Sequence, residues 1–433
     1  MMSTLAFWGY VMKKSSIVAL LTAMLVVSAA VPASSVPLTP DPNAYVPMML
    51  NVGAGPKGVA VAAGLGVTAN SAADTVTLFD ACSPKVCRPA YALTIPVGRQ
   101  PSDVALWVAP DQKTGRVYVT NSGDSSMTLI PLSFGARPIA SAPTTVLVGG
   151  EPTGVAVSPD GRWAYVSDKV SSNLVVYDTA NLKTDALIRV GASPWGVALS
   201  PDGSRAYVAA NAEGVVSVVD TAARLVVATI PVGMTPGDLA LDPSGKKLYV
   251  PSNGSGTVSV IDTATNAVTR IVTVGNQPWG VAVTASAAFV ANYGSGTVSV
   301  IDTTSRTVVS TVRTGANPFG VAVNGDQSVF VTNTGAGTLS TIAQRAPVPS
   351  VKWSSSKRAK TVTGSVPFMP AVAYTIVAAQ GSAKKVGGCS LASGGAVVTC
   401  KVKLTKGSWR VSVQTRLPWQ QAAAGQQNRK FTL

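Results

Sequence analysis

The sequence predicts an all-β protein: a seven-bladed β-propeller followed by a small β-sandwich. Three observations predict it. First, the phrase Val-Gly-x-x-Pro recurs from Val52, Val97, Val148, Val190, Val232 and Val274, and again as Thr314-Gly315-Ala316-Asn317-Pro318. The spacings are 45, 51, 42, 42, 42 and 40 residues. Second, each unit holds four short runs rich in β-branched residues and separated by turn signals. Third, the composition changes after Pro347 and Pro349, where acidic residues stop.

Each unit keeps one internal order. After the proline comes an apolar run such as Gly196-Val197-Ala198-Leu199, then a turn such as Ser200-Pro201-Asp202-Gly203. A second run (Tyr207-Val208) ends in a Gly/Asn/Ser turn. A third alternates, as in Thr257-Val258-Ser259-Val260-Ile261-Asp262-Thr263, and a fourth closes the unit, as in Val226-Val227-Ala228-Thr229-Ile230. Runs of this length and composition, bounded by turn residues, read as strands. Four strands in about 42 residues make a propeller blade. A helical solenoid of similar period needs 3.6-residue periodicity and few Gly or Pro, and this chain has neither.

The repeat resembles the YVTN family of β-propellers through Tyr118-Val119-Thr120-Asn121. Variants of that phrase are Phe330-Val331-Thr332-Asn333, Phe289-Val290-Ala291-Asn292, Tyr165-Val166-Ser167-Asp168 and Tyr249-Val250-Pro251-Ser252. The resemblance spans about residues 52–345 and implies a surface-layer or periplasmic type of propeller. Blade 1 departs from it, with Gly66-Val67-Thr68-Ala69-Asn70 in place of the aromatic phrase, and blade 2 carries extra residues.

Blade 7 breaks off after its third strand. A lone strand-like run, Tyr45 to Asn51, precedes blade 1 and is expected to supply the missing outer strand, closing a propeller over residues 45–347. An outer edge tolerates Pro47.

The 433 residues include Lys+Arg 34, Asp+Glu 19 and His 0; hydrophobic residues make 46% and charged residues 12%. This is a folding composition, not a disordered one. Without histidine there is no Ser-His-Asp triad, no HExxH zinc site and no histidine base. Propeller lyases that depend on histidine are excluded with them.

Residues 1–33 read as an export signal: Lys13 and Lys14 precede an apolar run, Ile17 to Ala30, which Pro32 closes. Met12 is a possible true start, and residues 34–44 form a linker. The expected location is extracytoplasmic, secreted or at the cell surface. Cys82/Cys87 and Cys389/Cys400 form two close pairs, which suits local disulfides in an oxidising compartment.

Residues 348–433 carry 13 basic residues and no acidic one. With the signal lysines also set aside, the propeller is formally neutral. The tail alternates apolar and basic positions, as in Cys400, Val402 and Leu404 against Lys401 and Lys403, and Trp409, Val411 and Val413 against Arg410. This reads as strands with one apolar face, and resembles small immunoglobulin-like or fibronectin-type-III-like modules. Lys401, Lys403 and Arg410 are the candidate contacts to an anionic envelope polymer. Outward lysines also keep an edge-rich domain soluble. Nucleic acid is disfavoured as a partner, since stacking aromatics do not accompany the charge.

Most carboxylates have structural roles. Asp111, Asp160, Asp202, Asp242 and Asp326 sit in turns, and Asp80, Asp178, Asp220, Asp262 and Asp302 end third strands. Asn70, Asn121, Asp168, Asn253, Asn292 and Asn333 fall near the next turn. The loop leading into each blade carries Pro-x-Gly or a variant, and its x residues are Lys57, Ser102, Thr153, Trp195, Gly237, Trp279 and Phe319. These loops are expected to ring the axis on one face. Trp195, Trp279 and Phe319 then form an aromatic crescent, either a ligand platform or a channel plug. Asp103 and Asp238 replace the glycine in blades 2 and 5, and Glu151 precedes Pro152. Placement of blades 2 and 5 nearly opposite one another argues against a close acid pair.

The expected function is a non-catalytic binding scaffold that presents its propeller face to a protein or glycan, with no cofactor, haem included, and no resident metal. The alternatives are a metal-dependent propeller hydrolase or lactonase using Asp103, Glu151 and Asp238, and extracellular polyanion or nucleic-acid binding by the tail.

Overall fold

The computed structural model describes residues 47–81, 92–135, 138–324 and 328–343, and seven strands between Lys352 and Thr432. The expected signal and linker, Cys82, Cys87 and Asp326 lie outside the described residues. The described residues form seven propeller sheets, one per repeat, each paired in chain order apart from the closing strand. Blade 4 is representative, with strands Pro194–Leu199, Arg205–Ala210, Val215–Asp220 and Leu225–Pro231 from axis to rim. The extra residues of blade 2 add a short strand, Ile139–Ala140, paired with Ser126–Ser133.

Burial explains the strand compositions. The two middle strands are packed on both faces by the flanking blades. Their small polar residues are therefore buried too. Ser217 Oγ donates to Val190 O at 2.7 Å and Ser259 Oγ to Val232 O at 3.3 Å. The alternation read in the sequence thus separates apolar from small hydrogen-bonded residues; it does not separate core from solvent. Outer strands do alternate toward solvent.

The aromatic of the YVTN phrase fills the wedge between blades. Tyr118 packs with Val155 and Val166 of blade 3, and Tyr207 with Leu239 and Val250 of blade 5. Blade 1 solves the same packing differently. Phe79 of its third strand meets Phe330 of blade 7, ring centroids 5.5 Å apart. Gly66 makes room for it, since a Cβ there would lie 2.1 Å from the Phe79 ring.

The asparagine of the phrase ties three segments together. Asn333 Nδ2 donates to Thr338 Oγ1 (3.1 Å) and Ser340 Oγ (2.8 Å), while its Oδ1 accepts from Gly315 N–H (3.1 Å). Asn292 repeats this with Thr297, Ser299 and Gly275. In blade 5 the equivalent position is Ser252, paired with Thr257, and Asn253 lies one residue further into the turn. The aspartates ending third strands act as turn caps: Asp302 Oδ1 accepts from Thr304 and Ser305 N–H.

Pro47–Asn51 pairs antiparallel with Thr338–Ala343 and so forms the outer strand of blade 7. Blade 7 also bonds directly to blade 1, through Thr332 Oγ1 to Lys57 O (2.6 Å) and Thr334 Oγ1 to Pro56 O (2.7 Å). The ring is therefore closed by one strand pairing and by side-chain bonds near the axis.

The tail strands run Lys352–Ser356, Thr361–Pro367, Val397–Lys403, Ala383–Leu391, Ala373–Gln380, Ser408–Arg416 and Gly425–Thr432 in spatial order, one antiparallel ladder. These pairings show antiparallel strands, while the expected sandwich is not shown among the described residues. Ala383–Leu391 pairs with one neighbour through its first half and with the other through its second. The backbone register sets Cys389 opposite Cys400. Lys401 and Lys403 are exposed on either side of buried Val402. Arg410 lies three strands away in the pairing order.

Candidate functional site

The lead-in loops reach the axis because the inner strands bulge there. Register shifts fall between Pro152 and Val155, Pro194 and Val197, Pro278 and Val281, and Pro318 and Val321. A bulge re-aims the side chain it carries. The glycine of Pro-x-Gly is required by close backbone approach to the next blade. A Cβ on Gly154 would lie 2.3 Å from Trp195 O, and one on Gly280 would lie 2.2 Å from Phe319 O. Blade-to-blade bonds hold the loops, among them Thr120 Oγ1 to Thr153 O (2.7 Å), Ser167 Oγ to Trp195 O, and Asp238 N–H to Trp279 O (3.2 Å).

The loops line a partly open cavity of about 30 Å³, to which all seven blades contribute. Trp195, Trp279 and Phe319 line it and touch one another: Trp195 meets Trp279 edge-on at 5.0 Å, and Trp279 meets Phe319 at 5.1 Å with rings 30° apart. Gly237 makes this possible, since a Cβ there would come within 3.3 Å of the Trp279 ring. Tyr293, which the sequence reading missed, extends the crescent to Phe319 at 6.4 Å. Its only signal was its position directly after Asn292, at the loop-facing end of the strand.

Asp103 and Asp238 line the same cavity, which corrects the expectation that opposite blades keep them apart. Each is seated against the preceding blade: a Cβ on Gly58 would lie 2.6 Å from the Asp103 Cα, and one on Gly196 would lie 2.7 Å from the Asp238 Cα. Asp103 Oδ2 accepts from Val155 N–H at 3.1 Å, and Asp238 Oδ1 accepts from Leu239 N–H at 2.8 Å. These amides, with the Val104 amide also lowering Asp103, do not offset desolvation. Burial pushes the Asp103 carboxyl up to about 6. Burial, reinforced by the Asp103 charge, pushes Asp238 up to about 8. Among the described residues neither is in an ion pair, and no basic residue lines the cavity.

The other predicted residues lie elsewhere. Glu151 pairs with Lys169 at 2.7 Å and does not line the cavity. Lys57 lies near both, and burial lowers its pKa while the Glu151 charge opposes that shift. Thr153 is buried and bonded to Ser167 Oγ (2.8 Å) and Pro194 O (3.0 Å), which makes it structural. The three acids Asp103, Glu151 and Asp238 therefore do not converge, and no group of three or more acidic or cysteine ligands suited to a metal occurs among the described residues.

No protein-family model and no curated protein matches the chain. Solved structures do. Hydrazine synthase of Kuenenia stuttgartiensis is 21% identical with a TM-score of 0.56, over 67% of this chain and 95% of that one. A catalytically inactive virginiamycin B lyase from Staphylococcus aureus, with quinupristin, is 11% identical with a TM-score of 0.57, over 69% and 99%. A functionally unknown protein from Desulfotomaculum acetoxidans is 18% identical with a TM-score of 0.52, over 63% and 89%. At these identities the likeness shows a shared seven-bladed β-propeller fold and nothing finer.

Proposed function

We propose that the chain is an exported, non-catalytic binding scaffold whose recognition site is the axial mouth of the propeller, with a glycan or protein as its ligand. The observation that carries this reading is the meeting of three aromatic rings, from blades 4, 6 and 7, above a cavity shared by two carboxylates. Rings held by a rigid scaffold supply contact area at little entropic cost, and a few polar groups beside them fix orientation. The basic tail adds non-specific retention at an anionic envelope, beginning with exposed Lys401 and Lys403.

Retention of the full chain on purified envelope polysaccharide and on envelope proteins tests the reading. The Trp195→Ala, Trp279→Ala double variant is expected to lose at least tenfold in affinity. Unchanged retention, with an unchanged far-ultraviolet spectrum, overturns it. The tail contributes a separate, salt-steep component, removed by reversing Lys401, Lys403 and Arg410 to Glu.

A second reading has one observation in its favour. Two neighbouring carboxylates held at different protonation states are the equipment of acid–base catalysis. The aromatic crescent beside the pair is a contact surface that acid–base chemistry does not require, so binding is the simpler use of the site.

A further inference from the structure

The lead-in segments around the axis are not held equally. In five blades a second-strand hydroxyl anchors the segment. Thr332 Oγ1 donates to Lys57 O in blade 1 (2.6 Å), and Asp103 N–H of blade 2 donates to Thr120 Oγ1 (3.1 Å). In blade 3, Thr120 Oγ1 donates to Thr153 O (2.7 Å) and Gly154 N–H donates to Ser167 Oγ (2.8 Å). Ser167 Oγ donates to Trp195 O of blade 4, and Gly320 N–H of blade 7 donates to Thr332 Oγ1 (2.8 Å). Blades 4, 5 and 6 carry Ala209, Pro251 and Ala291 at the hydroxyl position. The segments of blades 5 and 6 therefore receive no such bond. Between blades they rest on longer backbone bonds, Gly196 N–H to Gly237 O (3.4 Å) and Asp238 N–H to Trp279 O (3.2 Å). Two further observations fall on the same blades. The inner strand of blade 5 shrinks to the two residues Ala240–Leu241, against six in blades 4 and 6. Ser252 Oγ and the indole Nε1 of Trp279 are buried without a hydrogen-bond partner among the described residues, although buried polar groups nearly always have one.

We propose that Gly237 and Asp238 of blade 5 and Trp279 and Gly280 of blade 6 form a gate at the mouth, closed in this structure, which opens by carrying the Trp279 indole away from Trp195 and Phe319 and its N–H into water. The blades stay fixed and only these two segments move. The Asp238 N–H to Trp279 O bond makes them move together. Each has a held residue to pivot on. Asn211 Nδ2 donates to Pro236 O (2.8 Å), and Tyr293 N–H donates to Gln277 O (2.9 Å). Trp195 and Phe319 lie on anchored segments and serve as the two posts, with Trp279 between them. Opening gives the buried donor a partner and widens the entrance to the axial cavity, which Trp279 lines. Local opening of this kind is drawn from the parts of a fold with the fewest bonds. The gate goes beyond the binding reading and does not rest on it, since a fixed crescent also binds. Blade 6 also shows what would lock it. A Cβ on Gly280 would lie 2.2 Å from Phe319 O, just as one on Gly154 would lie 2.3 Å from Trp195 O. Blade 6 thus repeats the geometry of blade 3 with Ala291 in place of Ser167, and one added oxygen supplies an acceptor for Gly280 N–H and a donor to Phe319 O.

The test is exchange of indole N–H for deuterium, followed by NMR on the ligand-free full chain with isotope-labelled tryptophan. Trp279→Phe assigns the signal, and the slowest backbone amides report global opening. After correction for intrinsic rates, the Trp279 N–H is expected to exchange faster than those amides by about tenfold or more, despite its burial. Ala291→Ser is expected to slow it by about tenfold or more while leaving the slowest amides unchanged. Ala209→Ser, which offers a donor to Gly237 O, is expected to slow it less, through the Asp238–Trp279 bond. Exchange of the Trp279 N–H only at the global rate overturns the gate, and this comparison needs no variant. An unchanged Trp279 rate in folded Ala291→Ser overturns the assignment of the opening to the missing hydroxyl. Because no ligand is present, either failure leaves the binding reading to its own test.

Discussion

The axial carboxylate pair predicts that the propeller loses stability as pH rises from 6 to 8. In the unfolded chain both aspartates have ordinary values near 3.8, whereas in the fold the pair stands at about 6 and about 8. A folded-state carboxyl raised in this way binds a proton that the unfolded chain has already released. Stability is therefore highest at low pH within this window and falls as the pair ionises. Between pH 6 and 8 the fold holds about one extra proton, which costs about 1.4 kcal/mol per pH unit, or about 3 kcal/mol across the window. An unfolding entropy of ~2.1 cal/mol/K per residue over positions 47–343 comes to ~0.6 kcal/mol/K, so Tm should drop by about 5 °C.

The chain suits this measurement because it has His 0, so no imidazole titrates between pH 6 and 8. Asp202 and Asp262, each lowered to about 2 by local hydrogen bonds, contribute stability that is lost only as pH falls below about 4. Lys57, lowered by burial, works in the opposite direction, with stability rising as pH rises. The assay is thermal unfolding at pH 6, 7 and 8 at fixed ionic strength, for the native chain and for Asp103→Asn, Asp238→Asn. Asparagine keeps an acceptor for the Leu239 amide and cannot ionise. The double variant should show little slope and should be more stable than the native chain at pH 8. A flat or rising native profile, or an equal slope in the variant, refutes the reasoning.

Other consequences follow from the fold. Removing residues 45–51 strips the outer strand from Thr338–Ala343 and exposes its edge, so Tm should fall by roughly 10 °C or more; an unchanged melting curve contradicts closure by that strand. Asn333→Ala removes two donated bonds and the acceptor for Gly315, and should cost about 2–3 kcal/mol in denaturant unfolding. The register opposing Cys389 to Cys400 predicts a disulfide-linked peptide by mass spectrometry of the oxidised chain. Alkylation of both thiols without prior reduction counts against it.

The blades were legible because each repeat couples a strand pattern to its turn chemistry, and the same Asn, Asp and Gly recur for the same hydrogen bonds. Closure was legible because blade 7 lacks one strand and the chain supplies one before blade 1. What escaped the sequence is what depends on distance across the ring. Asp103 and Asp238 are far apart in the chain and sit on nearly opposite blades, yet both line the cavity at the axis. Glu151 looked equivalent to them by position, but Lys169 holds it elsewhere. The Gly66–Phe79 exchange in blade 1 moves an aromatic from one strand to the next, which a motif search on the second strand cannot detect. The tail's alternation gave its strands, but alternation alone carries no information on whether a ladder folds into two layers.

The most direct test of the binding account is fluorine NMR of the full chain carrying 5-fluorotryptophan, with Trp195 and Trp279 assigned by phenylalanine substitution. Envelope-derived oligosaccharides are titrated in. The account predicts that these two resonances shift together and saturably, while the remaining tryptophans stay in place. Saturable shifts confined to other tryptophans, with Trp195 and Trp279 unmoved, would place recognition away from the axis and contradict it.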